Sequence, residues 1–238
     1  MNLGRTSFLA AATVGLAALT GCPNPNTYGT PRTIEPGKVQ VVAALEGVGL
    51  SSAGTSTYLP TLPTVGVRVG VADGVDLGAR ISNLSSLQVD GKFNFVKSNT
   101  FDMAVDPGLQ VAYFGSVTSS SSSSNSTSLA LVYFNLPLLL GINISHSVTL
   151  VLTPGITYLY ATASTAGGSG TSDFASNSVF LARFGVGFNF RVAESVALQP
   201  EITMLRGFDS GNTTFLNFGF GGSFGTSKGA MPDYSTVH

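Results

Sequence analysis

Charge is what this 238-residue chain has least of. Lys, Arg, Asp and Glu together make up 10% of it, where an ordinary soluble domain carries about 25%. A solvated surface cannot be built from so few charged side chains. The 11 basic and 12 acidic residues nearly cancel, leaving a net charge of −1. That excludes the basic face on which a nucleic-acid partner depends. Trp is absent and Cys22 is the one cysteine, so no internal disulfide is available. His is scarce, with only His146 and His238. No metal-ligand spacing, catalytic triad or phosphate-cradling loop is visible, and Gly167-Gly168-Ser169-Gly170 has the composition of a linker. No metal, cofactor or enzymatic activity is therefore expected. Disorder is excluded by the 43% of hydrophobic residues.

The chain opens with one positive side chain, Arg5, and a short apolar run, Phe8 to Leu19, ending in Leu19-Thr20-Gly21-Cys22. That run is shorter than the ~20 residues of a membrane-crossing helix and has the anatomy of a secretory signal. Its end resembles the bacterial lipobox, Leu-x-Gly-Cys. The resemblance implies cleavage before Cys22 and attachment of acyl chains, palmitate among them, to that cysteine. It also accounts for a lone thiol in an exported chain. Pro23, in the place where an Asp would retain a lipoprotein at the inner membrane, implies the outer membrane. Residues 1–21 are thus expected to be a lipoprotein signal peptide that forms a signal helix. Residues 22–37, rich in Pro, Asn, Thr and Gly, read as a flexible tether.

From Lys38 to Gly225 the pattern is alternation, which places successive side chains on opposite faces of a sheet. Val65, Val67, Val69 and Val71 alternate with Gly66, Arg68, Gly70 and Ala72. Asp73-Gly74 is a two-residue hairpin signal, after which Val75, Leu77, Ala79 and Ile81 alternate with Asp76, Gly78, Arg80 and Ser82. The pattern predicts ten antiparallel strands, with eight as the alternative count, over a domain spanning 38–225; a polar tail, 226–238, follows. Residues 129–144 are the least regular, because both faces there are apolar. Connections alternate between short (73–74, 97–100, 145–147, 193–195) and long (51–63, 115–128, 163–178, 207–212), with 83–86 short where a long one is due. Asp106-Pro107-Gly108-Leu109, Thr153-Pro154-Gly155-Ile156 and Gln199-Pro200-Glu201-Ile202 recur at a spacing of 47 and 46 residues. A proline within a strand lacks a donor, so a bulge or bend is expected at each.

The charged residues of the strands share one face: Glu46, Arg68, Asp76, Arg80, Asp90, Lys92, Asp102, Asp106, Arg183, Arg191 and Glu201. Val, Leu, Ile, Phe, Met and Tyr occupy the other, with Arg206 an exception at a strand end. Tyr113, Tyr158 and Tyr160 fall near the long-loop ends of that apolar face, and Phe93, Phe95, Phe101, Phe188, Phe190 and Phe224 near the short-turn ends. Apolar outside, polar inside, two aromatic bands and alternating loop lengths resemble a bacterial outer-membrane β-barrel. The resemblance implies an all-β, antiparallel up-and-down transmembrane barrel in the outer membrane, porin-like but narrow, lipid-anchored on the periplasmic side. Leu216, Phe218, Phe220 and Phe224 resemble the C-terminal strand that the barrel-assembly machinery reads, although Gly225 and a tail follow it.

A barrel of this size is too narrow for an open porin channel. Inward glycines (Gly66, Gly70, Gly78, Gly141, Gly185, Gly187, Gly219 and Gly221) leave room for large inward side chains. The inward cations Arg68, Arg80, Lys92, Arg183 and Arg191 are expected to pair with the inward acids across the lumen and to plug it. The expected role is structural, or an interaction with a surface partner that the sequence does not specify. Two other readings stand beside it: a minor channel for small solutes, and a soluble calycin-like lipoprotein holding an apolar ligand.

Overall fold

A computed structural model describes residues 24–52, 55–83, 85–118, 126–166, 172–208 and 214–225. The signal peptide, Cys22 and the tail 226–238 lie outside the described residues.

Alternation has produced strands throughout, and no helix occurs among the described residues. The segments are β1 (Val39–Ser52), β2 (Thr55–Pro60), β3 (Thr64–Ala72), β4 (Val75–Ser82), β5 (Ser86–Lys97), β6 (Phe101–Val105) and β7 (Gly108–Thr118). They continue as β8 (Ser126–Ser145), β9 (Val148–Leu152), β10 (Gly155–Ala166), β11 (Ser172–Ala193), β12 (Val196–Gly207) and β13 (Thr214–Gly225). Three pairs, β2–β3, β6–β7 and β9–β10, each form one interrupted stave, so the sheet has ten staves. All neighbours are antiparallel, and β1 pairs with β13 from Gln40↔Gly225 to Ser51↔Thr214, which closes the barrel.

The interruptions have a common cause. Each contains a proline, which brings no N–H to the ladder. At Pro107 and Pro154 the ladder breaks but its register carries on: Val105↔Leu138 before the first break is followed by Gly108↔Asn135, and Leu152↔Leu140 before the second by Gly155↔Pro137. At Pro200 the strand itself is continuous. There β12 loses its pairing to β11 between Gly187↔Glu201 and Phe190↔Leu198.

Two expectations need correcting. The stretch read as a long loop at 51–63 contains β2, paired to β1 from Gly47↔Pro60 to Ser52↔Thr55. The connections at 115–128 and 163–178 are likewise shortened, because β7–β8 and β10–β11 extend as Ser/Thr-rich hairpins. Such extensions hydrogen-bond through the backbone and carry no apolar alternation, so the pattern that marks a half-buried strand is missing there.

The outward face is apolar and the inward face polar. On β1, Leu45 is 66% exposed while its neighbour Glu46 is 8% exposed. Val67, Leu77, Val89, Phe134, Phe184 and Phe220 are among the large apolar side chains left exposed around the outside. The buried set, by contrast, is dominated by Asn, Gln, Thr, Asp and Glu. This inversion removes the calycin-like reading, which requires an apolar interior. Two internal apolar clusters do exist among the described residues: Tyr28 with Val42 and Ala44, and Ala112, Leu131 and Tyr133 with Phe114, Leu129 and Leu159 against them. The second explains why both faces are apolar in the sequence over 129–133.

Candidate functional site in the barrel lumen

The lumen is occupied by the chain's own N-terminal segment. Residues read as a tether outside the barrel run, from Asn24 onward, down its interior. Asn24 donates to Thr64 Oγ1 at 3.1 Å and Ser82 Oγ at 3.3 Å, at the ends of β3 and β4 far from their shared turn. Asn26 donates to Asn217 Oδ1 at 2.9 Å, and the Thr27 and Tyr28 amides donate to the two oxygens of Glu201, each at 2.9 Å. Lower down, Arg32 Nε meets Asp102 Oδ2 at 2.8 Å, and the Ile34 amide donates to Asp76 at 3.2 Å. Pro36 forms a parallel bridge with Gly70, and the Gly37 amide donates to the Gly70 carbonyl at 2.8 Å. The partners descend steadily from the long-hairpin half to the short-turn end, so the segment threads along the barrel axis. Its Asn, Thr and Pro composition suits this place because the walls offer donors and acceptors rather than an apolar core.

Wall shape matches the segment. A Cβ on Gly221 would overlap the Tyr28 ring, and one on Gly141 would overlap the Pro31 ring. Gly221 and Gly141 thus make room for the N-terminal segment, whereas Gly78 makes room for wall side chains, Asp90 and Arg68, as expected.

The inward charges divide into two groups. Arg68 gathers three carboxylates: Asp76 at 2.9 Å, Asp90 at 2.5 Å and Asp106 at 3.1 Å; Lys92 adds a 3.4 Å contact to Asp76. The remainder meet the segment. Glu46 accepts from the Tyr28 hydroxyl at 2.5 Å and from Thr64 at 2.8 Å. Arg80 donates to the Asn26 carbonyl at 2.5 Å, Arg183 to the Pro25 carbonyl, and Lys92 to the Thr30 carbonyl at 3.1 Å. The expectation that Arg80 and Arg183 hold wall acids across the lumen is therefore corrected: their guanidinium groups hold backbone carbonyls of the segment. Arg191 lies at the rim and donates to the Glu194 carbonyl at 3.2 Å. Arg32, absent from the sequence-based set, joins it through Asp102. Acidic residues outnumber basic ones on the inward wall by one, with Glu46, Asp76, Asp90, Asp102, Asp106 and Glu201 against Arg68, Arg80, Lys92, Arg183 and Arg191.

Two small pockets lie beside the segment. A pocket of about 40 Å³ lies near Arg32, Lys92 and Arg191, and another of about 20 Å³ beside Arg68 and Arg80. Each holds a few waters at most.

Outside the lumen, the turn at 73–74 carries an ion pair, Lys97 Nζ to Asp73 Oδ1 at 2.7 Å. Lys97 holds the exposed Asp73 carboxyl below its ordinary range, through a hydrogen bond and through its charge.

Comparison with solved structures places the fold. The translocator domain of the autotransporter NalP from Neisseria meningitidis is 12% identical, with a TM-score of 0.51 over 92% of this chain and 97% of that one. The outer-membrane protease OmpT from Escherichia coli is 7% identical, with a TM-score of 0.49 over 81% and 98%. Ail, the attachment invasion locus protein of Yersinia pestis, is 10% identical, with a TM-score of 0.43 over 80% and 99%. No curated protein matches by sequence. The family model described as the outer membrane protein beta-barrel domain matches residues 6–224. With that match covering most of the chain, and a closed barrel whose apolar side faces outward, the protein belongs to the outer-membrane β-barrel family.

Proposed function

We propose that this protein is an outer-membrane scaffold, closed while its N-terminal segment is seated, which acts through its long hairpins at the cell surface and carries lipid on Cys22. The observation that supports this most is the filled lumen. The segment from Asn24 to Pro36 bonds to walls on opposite sides of the barrel, and the pockets beside it hold only a few waters. A barrel in that state has no through-path, which leaves its two rims to act. The hairpins β1–β2, β7–β8 and β10–β11 rise on one rim, and the other rim has only short turns. The role we propose is not a catalytic one, since His146 belongs to a short turn at the opposite end from those hairpins.

The test is ion conductance of the refolded full chain in a planar bilayer, with insertion checked by heat-modifiable gel migration. An inserted protein that stays silent is the expected result. Steady conductance in the unmodified chain would overturn the closed scaffold. The lipid is tested separately, by the intact mass of the mature chain; a mass without acyl chains on Cys22 overturns that part of the proposal.

A further inference from the structure

The lumen is built as a binding site for an extended peptide, and what that peptide covers is an acidic column. We propose that the Asn24–Pro36 segment is a displaceable plug, and that its withdrawal turns the barrel into a pore for small cations. This rests on the reading of the lumen as closed while the segment is seated.

Three observations carry the proposal. First, the segment is seated without being woven in. Apart from the Pro36↔Gly70 bridge it adds no strand to the sheet, and its bonds run to wall side chains, save that of Arg32 to the Ser98 carbonyl. The barrel closes through β1–β13 without it. Withdrawal therefore breaks no ladder. Second, the seat is specific. Tyr28 fits over Gly221 and Pro31 over Gly141, on two distant strands, so the wall is shaped for this occupant. Third, the wall holds the segment by its backbone as well as by its side chains. Glu201 takes two amides and Asp76 one, while Arg80, Arg183 and Lys92 each take a carbonyl. Water can replace every one of those partners when the segment leaves. Hydrated charges in a polar lumen do not suffer the penalty of charges left in a dry core. The vacated column keeps more carboxylates than cations, and a ring of acids favours cations.

The segment threads in from the short-turn mouth, so it withdraws by that mouth. Lys38, where β1 begins at Val39, is its hinge.

Conductance of the full chain tests this with three changes. Gly221→Val adds bulk where the Tyr28 ring stands. Tyr28→Ala adds no bulk and removes the hydroxyl held by Glu46; a charge-assisted bond of this kind is strong enough that its loss changes the seated-to-withdrawn ratio by about tenfold or more. In the third, Asn26→Cys and Asn217→Cys are joined by a short thiol cross-linker in a Cys22→Ser chain. Discrete steps in Gly221→Val or Tyr28→Ala, with a cation-selective reversal potential, and silence in the cross-linked chain, are expected. Inserted variants that remain silent, or that pass anions in preference, overturn the plug proposal and leave the closed scaffold standing. Steady steps in the unmodified chain that the cross-link does not remove overturn both.

Discussion

The Tyr28 hydroxyl donates to Glu46 Oε1 at 2.5 Å, so a phenol from the N-terminal segment closes onto a carboxylate of the first barrel strand. Only 18 residues separate them in sequence. Yet the bond joins the plug to the stave that also closes the barrel. The same carboxylate accepts from Thr64 on β3 at 2.8 Å. Tyr28→Phe keeps the ring over Gly221 and removes one donor from a buried acid. A buried acceptor left short of a partner costs about 1–3 kcal/mol. Urea unfolding in detergent micelles should show a loss in that range. In Glu46→Gln the same tyrosine change should cost less, because a neutral amide is a weaker acceptor. Equal losses in the two backgrounds would mean that the bond does not form.

Arg68 is the hub of the wall. Its guanidinium meets Asp76, Asp90 and Asp106, on three different staves. Arg68→Leu leaves those carboxylates with Lys92 as their one close cation, at 3.4 Å from Asp76. Removing one partner of a buried ionic cluster costs about 3–5 kcal/mol. Arg80→Leu removes a hydrogen bond to a carbonyl of the segment, so it should cost less and act mainly on seating. The two thermal unfolding midpoints, read by heat-modifiable migration, should fall in that order. The reverse order would place the stabilising cluster elsewhere.

The staves were legible in the sequence because alternation at period two has few other causes. Val65 to Ala72 and Val75 to Ser82 read directly as β3 and β4 around Asp73-Gly74. The luminal segment was not legible. Asn24, Asn26 and Thr27 have no period, and a composition that marks a solvated tether equally suits a polar interior. Inward Gly141, Gly219 and Gly221 signalled that something bulky was to be accommodated. They could not say whether it came from the wall or from the chain ahead of it. For the same reason Arg80 and Arg183 were matched to acids on the same face, when their actual partners are backbone carbonyls, which no side-chain pattern encodes. The Ser/Thr hairpin extensions escaped because water on both sides removes the alternation.

The outward face sets a sharp expectation for substitutions. Val89, on β5, is 49% exposed and pairs with Ala79 on one side and Leu109 on the other, between the strand ends at Ser86 and Lys97. In a soluble barrel Val89→Arg would be nearly neutral. Facing lipid near mid-depth, an arginine costs about 2–4 kcal/mol. Folding of Val89→Arg into phospholipid vesicles should be weakened by that amount relative to the parent chain. Equal folding would deny that this face meets hydrocarbon.

The Asp73–Lys97 pair predicts a small pH effect at the short-turn rim. The Asp73 carboxyl is held below its ordinary range by Lys97. A depressed folded value means that the carboxylate's contribution is complete above the ordinary aspartate range, near about 3.9. It is lost as pH falls below that range, through the depressed value. Both groups face solvent, so salt should weaken the pair. NMR titration in micelles should place the Asp73 midpoint lower in the parent chain than in Lys97→Ala. An identical midpoint in the two chains would show that the pair does not persist in solution.

Lipid on Cys22 and a seated plug compete for the same short stretch of chain. Asn24 is bonded to Ser82, seven residues up β4 from its short-turn end at Val75. At about 3.3 Å per residue and a tilt near 40°, that is roughly 18 Å above the rim. Cys22 is two residues from Asn24, a reach of at most ~7 Å. Acyl chains on Cys22 cannot then enter the leaflet at the short-turn side while Asn24 keeps its bonds. An anchor in that leaflet therefore requires the plug to be withdrawn, and loss of the anchor favours seating. Arg32 reports the difference, because in the seated state its side chain lies against Asp102 and the Ser98 carbonyl. Trypsin supplied from the short-turn side should cut after Arg32 in the acylated protein and spare it in the Cys22→Ser chain. Protection in both would mean that any lipid on Cys22 leaves by the opposite mouth. Cleavage in both would mean that the segment does not stay seated even when no lipid pulls on it.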